Sequence, residues 1–135
     1  LASVGNINDR NCHPFNNNGR VMAMNGTERN YTIANSSLTD TENILITTKN
    51  ITKGTREYHS VFLGYENGKV FANKNGGSLE YIPCENGGRV FASTFPMEYY
   101  AYDTVYEAPQ YFIEGVKMKP LESARRNRYY SLESY

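Results

Sequence analysis

The stretch Tyr58-His59-Ser60-Val61-Phe62-Leu63-Gly64-Tyr65-Glu66-Asn67-Gly68-Lys69-Val70-Phe71-Ala72-Asn73-Lys74 decides the fold. Two runs rich in β-branched and aromatic residues meet at Asn67-Gly68. A two-residue type I′ turn needs positive φ at both central positions, and Asn followed by Gly meets that need at the least steric cost. The pattern predicts that residues 58–66 and 69–74 pair antiparallel across this turn. Side chains alternate along a strand, so Val61, Leu63 and Tyr65 share one face and Phe62 takes the other. Phe71, opposite in parity to Val70, is expected to be buried if both faces of the sheet are covered.

Working outward, Asn75-Gly76-Gly77 leads into a run ending at Cys84, and Asn86-Gly87-Gly88 turns into Arg89–Ser93. Four strands in series with short connections predict an antiparallel meander. Upstream, Val21–Met24, Tyr31–Ala34 and Asn43–Thr48 read as short β-type runs, the last being the most β-prone. A turn, a basic residue and an apolar strand start recur at Asn18-Gly19-Arg20, Asn67-Gly68-Lys69 and Asn86-Gly87-Gly88-Arg89. The spacing is irregular, so the motif reads as one hairpin device used three times and not as a repeat protein. Residues 95–119 read as two aromatic strands broken at Pro109, with Pro96 and Pro109 at strand ends or edges. The expected fold is a single all-β domain over residues 1–135, an antiparallel meander forming a sandwich or barrel, with a β-trefoil as the alternative. Residues 1–20 are read as an N-terminal loop or arm. Residues 121–135 are read as a C-terminal arm, and any short helix is expected there.

At 135 residues the chain can bury a core, and 12 Tyr with 6 Phe supply the apolar surface. Its mean hydropathy of -0.63 marks a polar exterior. Fourteen basic and 14 acidic residues leave zero net charge, which argues against a nucleic-acid or anionic-membrane partner. No run approaches the roughly 20 apolar residues of a membrane-spanning helix. The sequence opens on Leu1 and not on Met, as after removal of a leader or where a longer chain has been cut.

Cys12 and Cys84 have no second cysteine or histidine at zinc spacing, so no metal site is expected and a disulfide is. Closing so long a loop could contribute roughly 4 kcal/mol. Four N-x-[ST] triplets begin at Asn25, Asn30, Asn35 and Asn50, which makes these residues the glycosylation candidates. Disulfide and sequons together point to a secreted, extracellular protein at a cell surface or on a particle.

His13 and His59 are the only histidines, and no nucleophile elbow, Cys/His pair, phosphate loop or carboxylate cluster accompanies them. No catalytic residue and no cofactor are therefore expected. The order His59, Glu80, Arg89 resembles that of the microbial guanyl-specific ribonucleases, in which His, Glu and Arg on adjacent strands cut RNA. The downstream histidine and the preceding helix of that family are missing here, and the resemblance implies at most a small secreted hydrolase. Tyr99, Tyr100, Tyr102 and Tyr106 are the binding candidates. Read as a strand, 99–106 puts Tyr100, Tyr102 and Tyr106 on one face, suited to protein contact or sugar stacking. Arg125, Arg126 and Arg128 read as a solvated terminal face. The function expected is that of a non-enzymatic structural or adhesive subunit of an extracellular assembly (pilus, filament, coat or capsid-type). Such a subunit self-associates into a homo-oligomer or polymer through strand pairing, aromatic contacts and its terminal arms. The alternative is a secreted monomeric lectin-like module that binds carbohydrate, glycan included, or protein.

Overall fold

The computed structural model describes residues 11–114 of the chain. The expected C-terminal arm, its short helix, the arginines of the terminal face and residues 1–10 of the N-terminal arm lie outside the described residues. Those described form mostly β-strands in two antiparallel sheets with a few short helices, an all-β structure as the turn chemistry predicts. They fall into two compact units. One holds residues 11–77 with 110–114, and the other holds Ser78–Pro109.

The first unit is a five-stranded sheet in the order β1-β2-β3-β4-β8. Its strands are β1 (Phe15–Asn17), β2 (Arg20–Asn25), β3 (Val61–Glu66), β4 (Lys69–Lys74) and β8 (Tyr111–Ile113). The hairpin at the centre of the sequence forms with the predicted register, Glu66 opposite Lys69 and Val61 opposite Lys74. Asn67 and Gly68 take φ of 54° and 78°, the left-handed geometry that a type I′ turn requires. The same device joins β1 to β2, with Asn18 at 54° and Gly19 at 83°. Residues 15–17, expected to be loop, are therefore an edge strand: once Asn18-Gly19 reverses the chain, Phe15 falls opposite Met22 and is buried.

Two helices were not foreseen. The run Asn43–Thr48 is not a strand but most of α1 (Asp40–Thr47), and α2 (Ile51–Gly54) follows it. The sequence Thr39-Asp40-Thr41-Glu42 overrides β-propensity here, because Thr39 caps the helix by accepting the Glu42 amide, with Asp40 and Glu42 in the positive first turn. Tyr31–Ala34 is not a strand either. The amides of Ala34 and Asn35 are bound by the Asn43 side-chain oxygen, 2.9 and 3.0 Å away, and so are unavailable to a ladder. Asn43 also donates to the carbonyls of Asn35, Leu38 and Thr39, so one buried amide organises the loop before α1.

Both helices bring apolar groups to one face of the sheet. Ile44, Leu45 and Ile51 join Phe15, Met22, Met24, Phe62 and Phe71 in the core, and Phe71 is fully buried as expected. Full burial of side chains of this size stabilises by roughly 2–3 kcal/mol each. Phe71 lies directly opposite Gly64, where a side chain would run into its ring and into the Val21 carbonyl. Arg20 ties the end of α1 to the sheet, donating to Thr48 O at 2.5 Å and Leu45 O at 2.6 Å.

The expected meander does not continue past β4. The outer edge of β4 pairs with β8, while β5 (Glu80–Pro83) belongs to the second unit, between β6 (Arg89–Ala92) and β7 (Tyr106–Glu107). The chain leaves the sheet because the Asn75 side chain donates to the carbonyls of Arg56 and Tyr58. Gly76 then passes so near the His59 carbonyl that a Cβ would sit 2.6 Å from its oxygen. The β5–β6 hairpin closes on Cys84–Gly88, and no helix occurs within 58–92.

Candidate functional site

Of the four candidate tyrosines, the three expected to share one strand face, Tyr100, Tyr102 and Tyr106, do not. Pro96 starts a 3-10 helix over Met97–Tyr102, so the period is three and not two. Tyr100 turns inward and is buried. Its hydroxyl donates to Glu80, pairs with Thr94 and accepts the Phe95 amide at 3.1 Å. Tyr106 is half-buried on β7 and stacks on Tyr81 with ring centroids 5.5 Å apart. Burial raises the Tyr81 hydroxyl above the ordinary phenol value, partly opposed by the Arg89 guanidinium over its ring. Tyr99 and Tyr102, 45% and 65% exposed, are left on the surface beside Met97 at 60%. Phe95 packs obliquely on Tyr99. Of the expected quartet, this surface keeps two.

The residues that resemble a ribonuclease set are divided: His59 belongs to the first unit, Glu80 and Arg89 to the second. Cys12 and Cys84 are likewise in different units, both exposed, and no disulfide joins them among the described residues. All four sequon asparagines are exposed. Asn35 and Asn50 also serve as local caps, Asn35 for Ser37 and Asn50 for the Lys53 amide. No His, Cys, Asp or Glu cluster among the described residues could hold a metal ion, and no described helix is long and apolar enough to cross a membrane.

Two features of the first unit could not be read from sequence. The first is a buried polar cluster where β2 ends. The Glu28 carboxylate accepts the His59 amide and the Ser60 amide and hydroxyl, and the Glu28 amide donates to Asp40. Gly26, with φ of 139°, crosses over Ser60 at a distance that leaves no room for a Cβ. Thr41, beside Asp40, pairs with the His13 imidazole at 3.1 Å. Burial lowers the His13 value below that of free histidine, a trend that the nearby Asp40 charge opposes. These contacts join segments 12–32 residues apart, so no local signal announces them.

The second is the sheet face turned away from α1 and α2. The register aligns Val21, Tyr65 and Val70 in one row and Ala23, Leu63, Ala72 and Phe112 in the next. Ala72 and Phe112 are buried, and Val21, Ala23 and Leu63 are half-buried. Tyr65 and Val70 remain 43% and 38% exposed. An antiparallel sheet that shows one face to water normally alternates apolar with polar residues, and these rows do not.

A scan against protein-family models gives no match for this chain, and searches among curated proteins and solved structures give none.

Proposed function

We propose that the chain is a structural subunit that assembles with further copies of itself through the exposed apolar residues on the face of its five-stranded sheet turned away from α1 and α2. The observation that carries this reading is the apolar row Val21–Tyr65–Val70, lying across three strands opposite the helix-covered face. Two such faces packed together make a two-layer β structure with its sheets about 10 Å apart, the common way for a sheet to bury a second apolar side. Zero net charge supports a second copy as the occupant, since a strongly charged chain would repel its like. In this reading the assembly is extracellular, where the exposed sequon asparagines Asn25, Asn30 and Asn35 would be open to glycosylation.

Sedimentation velocity over a concentration series tests the reading. The wild type is expected to associate, and Val70→Lys, which places a charge in the row without touching the helix-side core, is expected to sediment as a monomer. A wild type that stays monomeric up to about 1 mM, or a Val70→Lys chain that associates equally well, overturns it; 1 mM corresponds to only about 4 kcal/mol of binding.

A second reading rests on the exposed Met97, Tyr99 and Tyr102 of the 3-10 helix. An amphipathic aromatic surface of this kind suits a binding module for glycan or protein. A glycan array probed with wild type and Tyr102→Ser separates the two readings.

A further inference from the structure

The first unit has an open cavity of about 340 Å³ lined by Asn50, Thr52, Lys53, Glu66, Asn67, Lys69 and Ile113. We propose that it binds a small organic molecule through an oxyanion group, phosphate or carboxylate. Four observations support this assignment.

The first is charge. Lys53 and Lys69 are both exposed, and neither forms an ion pair among the described residues. They come from different elements, α2 and the start of β4, so the fold and not local sequence brings two ammonium groups to one cavity. The second is the state of the one acid present. Glu66 is buried, with both carboxylate oxygens occupied: Oε2 accepts the Ile51 amide at 3.0 Å, and Oε1 accepts the Thr52 amide and hydroxyl at 3.1 and 2.7 Å. Arg20 lies 3.6 Å from it and balances its charge. The two lysine charges are therefore left for a ligand.

The third is donor chemistry. The exposed carboxamides of Asn50 and Asn67 can each offer N–H groups to an oxyanion. The Asn50 oxygen is held by the Lys53 amide, which fixes the orientation of that side chain. The fourth is shape. A half-buried Ile113 supplies an apolar wall, and the volume falls at the lower end of the range for small-molecule sites. An oxyanion carried on a small apolar body uses both features.

Amide chemical shifts of 15N-labelled protein during titration with inorganic phosphate, and separately with acetate, test the proposal at constant ionic strength. Saturable shifts confined to residues 50–53 and 66–69, with a millimolar dissociation constant, are expected. The two arms show which oxyanion is preferred. In the Lys53→Gln, Lys69→Gln double variant, binding should weaken by about 2- to 25-fold, since each exposed charge contact is worth up to about fivefold. The single Lys69→Gln change should lie between. Both lysines are exposed, so the variants keep the wild-type spectrum elsewhere. Shifts that never saturate with either anion, or equal affinity in the double variant, overturn the proposal.

Discussion

Glu66→Gln tests whether a buried carboxylate holds α2 to the sheet. In the wild type, Glu66 accepts two hydrogen bonds on Oε1 and one on Oε2, with Arg20 3.6 Å from Oε2 and only 4% of its side chain exposed. Glutamine can keep the two donors from Thr52 on its carbonyl oxygen. Its amide nitrogen then faces the Ile51 N–H and the Arg20 guanidinium, donor against donor. One charged hydrogen bond and one ion pair are lost, while Arg20 keeps the carbonyls of Leu45 and Thr48. At roughly 1.5–3 kcal/mol for a hydrogen bond to a charged group, the expected loss is about 2–3 kcal/mol at pH 7. The pH dependence follows from the carboxyl itself. Burial pushes its pKa up, but the Ile51 and Thr52 hydrogen bonds and the Arg20 charge outweigh burial and hold it below the ordinary glutamate value. A depressed acid adds stability that is fully present above its unfolded pKa of about 4.3 and is lost as pH falls through the folded value. Urea denaturation of both proteins from pH 7 to about pH 3 should therefore show a gap that is constant above pH 5 and then closes. A gap below about 0.5 kcal/mol at pH 7, or one that does not change with pH, would refute this account.

Two further substitutions probe packing in each unit. Gly64→Ala places a methyl against the Phe71 ring and 2.8 Å from the Val21 carbonyl oxygen, and should cost at least about 1–3 kcal/mol in thermal or urea unfolding; an unchanged midpoint would contradict the packing described. Tyr100→Phe removes the hydroxyl that joins Glu80, Thr94 and the Phe95 amide, and should lower amide-exchange protection across residues 80–100 by about 1–3 kcal/mol, with residues 61–74 unaffected. Equal losses in both segments would count against two separately packed units.

What could be read from the sequence was what local backbone chemistry decides. Asn18-Gly19 and Asn67-Gly68 adopt the positive φ pair that the turn type demands, and strand parity then sends Phe71 inward and Val70 outward. The errors arose where two local signals competed. Asn43–Thr48 is β-branched, but Thr39-Asp40-Thr41-Glu42 is a capping box immediately before it, and the helix also gains a buried face through Ile44 and Leu45. Around Tyr99 the signal was Pro96, which suits the first turn of a helix better than the start of a strand. The Glu28–Ser60 contact, the Arg20–Glu66 pair and the two-lysine cavity had no local signal, because each joins residues brought near only by the completed sheet.

The capping box has a consequence beyond α1 itself. Had Asn43–Thr48 been a strand, the five-stranded sheet would have gained another edge and no cover. As a helix, followed by α2, the segment covers one face, and its Ile44, Leu45 and Ile51 complete a core with Phe62 and Phe71. Both helices serve that same core, so the row of Val21, Tyr65 and Val70 on the other face receives nothing from them. The exposed row is thus a product of the same step that builds the core. The proposed association follows from that asymmetry: the apolar surface that the local code commits to one face of the sheet leaves Tyr65 and Val70 on the other to be buried by a partner.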